Sequence, residues 1–195
     1  MTNRNSKLEI QKSKTSNRQS HISHARGGDP SLAPKRISDS QVRLALPMNP
    51  DMANALGNVH GGMIMKLVDE AGGFAAMKHA RNVTVTVAMD SMTFLSPVKI
   101  GALVSLNASV NWVGRTSIEV GIRVEAENVL TGQITHTNSA YLVYVALDQF
   151  GQPTPVPPLI VETEEEERRW EEGAARQAHR LAITKRVAAA KRKLA

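Results

Sequence analysis

The chain of 195 residues has no cysteine at all. That excludes disulfides, cysteine nucleophiles and cysteine metal ligands together. No apolar run approaches the roughly 18 residues that a bilayer-spanning helix needs, and no apolar segment of signal-peptide type follows Met1. Histidine pairs with metal-ligand spacing are missing as well: there is no His-x-x-x-His, and His60, Asp69 and His79 share no ligand spacing. His21 and His24 stand apart near the N-terminal end. A phosphate-cradling glycine fingerprint is also absent. No metal site is expected.

What the chain has in excess is positive charge, with a formal net of +6. The charge is unevenly placed. Residues 1–43 carry nine Lys/Arg against three Asp/Glu, residues 44–161 six against eight, and residues 162–195 nine against seven. Basic chains invite a nucleic-acid interpretation, but the basic arm holds no Phe, Trp or Tyr on which bases could stack. Neither nucleic acid nor membrane is expected as a partner. Residues 1–40, rich in Ser, Asn, Lys and Gly and without apolar periodicity, are expected to be a disordered leader. Their acid-poor composition leaves a transit peptide open, with a cytoplasmic protein as the default.

The slightly acidic middle has the size of one domain. Val42–Leu46 alternates like a short strand ending at Pro47, and residues 47–62 form a loop. From about Gly62 to His79, apolar Ile64, Leu67, Val68, Ala71 and Ala75 follow helical spacing. Gly72, Gly73, Ala75 and Ala76 keep the second half of that helix small, so that a sheet could approach closely. Strands follow. Val83, Val85 and Val87 alternate with polar neighbours, as do Val104 to Trp112 and Ile118 to Val124 around a Gly114-Arg115 turn. A last strand runs from about Ile134 to Leu147. Beyond a Pro-rich connector at 153–158, residues 162–193 predict a charged helix, with Thr163 and Glu166 as a capping box and Glu164/Arg168, Glu165/Arg169 and Glu172/Arg176 as i,i+4 pairs. Having little apolar surface, that helix is expected to pack on a partner subunit or extend into solvent. The fold class is α+β: one curved antiparallel sheet around one central helix, spanning 41–158, with the leader before it and the helical extension 159–195 after it.

The chemistry concentrates at Gly57-Asn-Val-His-Gly-Gly and the helix that follows. A helix start free of bulky side chains presents N–H groups to developing negative charge. Asp69, two turns along an otherwise apolar face, must be functional, paired or misplaced. Together these features suit acyl transfer to water.

Four motifs carry a family resemblance: Asn58-Val-His-Gly-Gly, Asp69-Glu70-Ala-Gly, Thr93-Phe-Leu-Ser-Pro and Glu127-Asn-Val-Leu-Thr-Gly. In this order and spacing, over about residues 42–162, the chain resembles the hotdog-fold acyl-coenzyme A thioesterases, above all the cytosolic (brain-type) hydrolases and their single-domain bacterial relatives. The resemblance implies hydrolysis of acyl-CoA to fatty acid and free CoA with no cofactor, CoA being part of the substrate. It also implies a homodimer with two equivalent sites, and a trimer of dimers (hexamer) as the expected assembly. In two-domain relatives the Asn and the Asp come from different domains; this chain holds both.

Geometry supports the dimer separately. Asp69 lies about 10 Å along the axis from Gly62 at ~1.5 Å rise per residue, too far to act on a group held at its own helix start. An antiparallel partner helix would bring a second Asp69 there. The expected roles are Asp69 as general base or direct nucleophile, the N–H groups of Gly61 and Gly62 as oxyanion donors, and Asn58 orienting water or carbonyl. His60 is expected beside the substrate rather than as a base. Arg115, Thr116 and Ser117, in the hairpin turn, are expected to meet the CoA phosphates. Met63, Phe74, Met77, Met89, Met92 and Phe94 could line an acyl channel. Two other classes remain open: a hotdog hydratase or dehydratase, against which stands the missing proline-bearing insert between His60 and Asp69, and a non-catalytic acyl-CoA-binding regulator, against which stands the retention of Asn58 and Asp69.

Overall fold

The computed structural model describes residues 24–194. The alternating runs become strands β3 (Val42–Pro47), β4 (Val83–Phe94), β5 (Leu103–Val113), β6 (Ser117–Asn128) and β7 (Gln133–Leu147), all paired antiparallel in the order β3-β5-β6-β7-β4. Helix α1 (Gly61–Ala80) touches all five. Its apolar face, with Ile64, Leu67, Val68, Ala71, Ala75 and Ala76, is buried against Val104, Leu106, Val120, Ile122 and Leu142 of the sheet. This is the hotdog arrangement. The small residues allow the close approach: a Cβ on Gly72 would stand 2.3 Å from the Tyr144 hydroxyl. Among the described residues, no helix is long and apolar enough to cross a membrane.

Two expectations need correction. The leader was expected to be disordered through residue 40, but residues 24–40 are structured, while residues 1–23 lie outside the described residues. Strands β1 (His24–Arg26) and β2 (Lys35–Arg36) flank β8 (Leu159–Val161) on either side, making a second, three-stranded sheet. The cause is the apolar Leu159-Ile160-Val161 segment, whose backbone and side chains need partners. Gly27 and Gly28, with φ of 62° and 63°, turn the chain where any Cβ would collide with Val113 O or the Pro157 backbone. Ile37 and Ser40 are then buried.

The second correction concerns helix α2 (Glu164–Leu194). Its capping box forms: Glu166 N–H donates to Thr163 Oγ1 at 3.1 Å, and Glu166 Oε2 accepts from the Thr163 and Glu162 N–H groups. Instead of leaving its own subunit at once, its first half lies across the outer face of the chain's own sheet. Trp170 packs on Trp112 with ring centroids 6.1 Å apart. Arg176 meets the fully buried Glu119 at 2.7 Å and sits over the Tyr141 ring, and Arg180 contacts Asp90. Glu119 is on the polar side of β6, where alternation predicts solvent; the arginines of α2 are what allow its burial.

Candidate active site

The loop before α1 is closed by Asn54. Its Oδ1 accepts from the Leu56 and Asn58 N–H groups at 2.8 and 3.2 Å, and its own N–H donates to Asn58 O. Gly57 takes φ of 74°, a value that favours glycine. Asn58 forms an isolated bridge with Lys99, and its Oδ1 accepts from the Lys99 ammonium at 2.9 Å. His60 is the N-cap of α1: its Nδ1 accepts the Gly62 N–H at 3.0 Å. The Gly62 donor is thus occupied. The N–H of Gly61 has no acceptor among the described residues, and it belongs to a cavity of about 340 Å³ lined by Asn54, Asn58, Gly61, Ile64, Phe94 and Ser96, among others.

Asp69 is absent from that lining. Its Oδ1 accepts from Thr86 Oγ1 at 2.5 Å, and its main-chain oxygen accepts from the Tyr144 hydroxyl at 3.0 Å. Tyr144 stays protonated across any working pH, since burial first and the neighbouring Asp69 charge second raise its pKa. Thr86 lies on β4, which with β3 is one of the two edge strands of the sheet, and whose Val83, Val85, Val87, Met89 and Phe94 are exposed. The carboxylate therefore points toward the side on which a second sheet could dock.

The hairpin residues Arg115, Thr116 and Ser117 lie at the far end of the same subunit. Ser117 pairs with Val145, while Phe94, beside Gly61, pairs with Asn138. Those seven residues along β7 amount to about 23 Å at ~3.3 Å each. Arg115 is exposed and near Asp29, whose carboxyl is held below its ordinary range by Ser31 hydrogen bonds first and the Arg115 charge last. Within one protomer, then, the structure brings Asn54, Asn58, His60 and Gly61 together, and leaves Asp69 with Thr86 and Arg115 elsewhere. Neither Asn54 nor Thr86 was singled out from sequence. Asn54 offered one signal, an Asn two residues before the Leu56-Gly57 turn; Thr86 offered none, because its partner is on another element. Among the described residues no three His, Cys, Asp or Glu converge as metal ligands.

The family model described as the thioesterase superfamily matches residues 56–133. A hexameric acyl-CoA thioesterase of known crystal structure superposes with a TM-score of 0.76 at 36% identity, over 78% of this chain and 98% of that one. The chain belongs to the hotdog-fold acyl-CoA thioesterases. Another thioesterase, the rat cytosolic acyl coenzyme A thioester hydrolase, is 34% identical over 145 residues, which are 73% of this chain but 38% of that protein. The Staphylococcus aureus acyl-CoA hydrolase, solved with butyryl-CoA and CoA, is 29% identical with a TM-score of 0.75, over 82% of this chain and 98% of that one. The residues that the thioesterase family model matches carry α1 and strands β4, β5 and β6.

Proposed function

We propose that the chain hydrolyses acyl-CoA thioesters at two equivalent sites of a homodimer, each joining the Asn54–Gly61 loop of one subunit to Asp69 of the other. The observation that carries this is the separation within one protomer: the Gly61 N–H, without an acceptor among the described residues, opens on a cavity lined by Asn54, Asn58, Ile64 and Phe94, and the only carboxylate on the buried helix face is turned to the edge strand β4. Pairing β4 antiparallel with its copy sets the Phe94 end of one subunit beside the Val83 end of the other. This brings Asp69 and the Arg115 hairpin of one subunit toward the Gly61 of its partner.

Spacing supports the assignment. The S. aureus hydrolase has been solved with Ala in place of an Asn, an Asp and a Thr, the Asn fifteen positions before the Asp and the Thr seventeen after it. Here Asn54 and Thr86 stand at those distances from Asp69. Asn54 is thus the carboxamide that meets the thioester or the water. Asn58, with its oxygen held by Lys99, shapes the same cavity, and His60 caps the helix so that Gly61 faces the substrate.

In the reaction, Asp69 Oδ2 takes a proton from water while Thr86 steadies Oδ1. The oxygen of that water attacks the thioester carbon, and the carbonyl oxygen, now negative, accepts the Gly61 N–H at the positive end of α1. Collapse breaks the C–S bond, and the proton passes from Asp69 to the leaving CoA sulfur. Arg115, Thr116 and Ser117 hold the CoA phosphates. Dimers assemble further into a hexamer. Release of CoA thiol from C2 to C18 acyl-CoAs tests the reading. Wild type should turn over, and Asp69→Ala should lose about 10³-fold or more with its thermal midpoint kept; full activity in a folded Asp69→Ala protein would refute it.

A further inference from the structure

Helix α2 crosses the outer face of the sheet one strand at a time. Trp170 lies on Trp112 of β5, Gly173 against Trp112 and Glu119 of β6, Arg176 on Glu119 and on Tyr141 of β7, and Arg180 on Asp90 of β4. Ten residues of helix at ~1.5 Å each cover about 15 Å, the width of the three strand spacings between β5 and β4. At Arg180 the sheet ends and the helix does not: it continues to Leu194, about 21 Å further, the width of some four more strands. Residues 181–188 are all exposed. Yet the face that carries Trp170, Gly173, Arg176 and Arg180 continues at helical spacing through Ile183 and Val187, with Leu181 beside it. An apolar stripe that begins where the sheet stops has no partner among the described residues.

We infer that the second half of α2 docks on a second copy of this chain, so that the two α2 helices run antiparallel, side by side, across the outer face of the joined sheets. The inference rests on the dimer proposed above. The charges on the helix are complementary to themselves in that arrangement. Its first turns hold Glu164, Glu165, Glu166, Glu167, Glu171 and Glu172, no acid follows Glu172, and Lys185, Arg186, Lys191, Arg192 and Lys193 follow in sequence. A two-fold axis at the seam, half a strand spacing past Arg180, falls close to Leu181. It sets Leu181 against Leu181 of the partner subunit, and positions 191–193 of each helix level with Glu171 and Glu172 of the partner subunit. Asp90 lies about 5 Å from the middle of β4, which separates the two helices by about 10 Å, the ordinary interaxial distance of packed helices.

Because the chain has no cysteine, Ala175→Cys, Leu181→Cys and Val187→Cys each give one spin-label site per subunit. In the purified assembly the shortest interspin distance should pass through a minimum at position 181. It should be about 10 Å there and about 20 Å at 175 and 187, from the helical rise on either side of the axis. Distances rising steadily from 175 to 187 would mean that the helices diverge, and would overturn the inference while leaving the dimer intact. A label at position 187 that is immobilised only by phosphatidylglycerol vesicles would overturn it in favour of a membrane. Monomers by sedimentation on the same samples would instead refute the dimer itself. A chain ending at Arg180 should dissociate at roughly ten-fold lower dilution or less, with CoA release per dimer unchanged; an unchanged dissociation constant would also count against the helix pair.

Discussion

Gly72 has no side chain because Tyr144 occupies the place of one, its hydroxyl 2.3 Å from where a Cβ would be. That hydroxyl donates to the Asp69 main-chain oxygen, so the contact that brings sheet and helix together also fixes the turn bearing the proposed base. Gly72→Ala should therefore lower stability by about 1–3 kcal/mol, the usual penalty for forcing atoms into a packed core, despite alanine's better helix propensity. Its neighbour is the control. A Cβ on Gly73 would sit 3.7 Å from the Tyr144 ring, in ordinary contact, so Gly73→Ala should raise stability by about 0.5–1 kcal/mol. Thermal melts of the two variants check both signs. The need for small residues in this helix was legible in the sequence, since Gly72, Gly73, Ala75 and Ala76 have few other uses together. The roles proposed for Asn54 and Thr86 were not legible: one works through loop hydrogen bonds and the other through a residue seventeen positions away on another element. The proposed oxyanion donor was legible only to within one residue, because which of Gly61 and Gly62 keeps a free N–H depends on the ring of His60 capping the helix.

At the scale of elements, alternation located the five long strands and helical spacing located α1, because each buries one face and the period follows from that. It could not find β1 and β2, which have three and two residues; strands that short have no period, and what holds them is β8. The end of α1 is tied to the segment leading into β8. His79, fully buried, donates from Nε2 to Pro157 O at 2.9 Å, and its Nδ1 has no partner among the described residues. Burial lowers the His79 pKa below 6.5, more than the Pro157 bond raises it. The unfolded chain therefore binds a proton that the folded one refuses, and stability is complete above about pH 6.5 and falls as the solution is acidified through the window below that value. The thermal midpoint should drop between pH 7 and pH 5, and His79→Gln should flatten that slope while lowering the pH 7 midpoint. An unchanged slope would assign the acid sensitivity to other groups.

For the whole molecule, the decisive question is whether one subunit can complete a site by itself. In the proposed reading it does not: eight residues of helix separate Gly61 from Asp69, about 12 Å at ~1.5 Å each, while attack on a thioester requires the base within hydrogen-bond reach of the water and the oxyanion donor about 3 Å from the carbonyl oxygen. Two inactive variants should then repair each other. Asn54→Ala lacks the carboxamide of the loop and Asp69→Ala lacks the base. In a mixed dimer, one site combines both defects and the other combines neither. Random reassortment of equal amounts yields half mixed dimers, each with one intact site of two, so the recovered rate should be roughly a quarter of wild type if the sites are isologous and shared. A site confined to one subunit would give no recovery, since each mixed dimer would then hold two damaged sites. Mixing the same variants with Asn58→Ala in place of Asn54→Ala separates the two carboxamides. If Asn58 only shapes the cavity through Lys99, Asn58→Ala alone should keep measurable turnover with a raised KM, and adding Asp69→Ala subunits should gain little, whereas Asn54→Ala should start near zero and gain the full quarter.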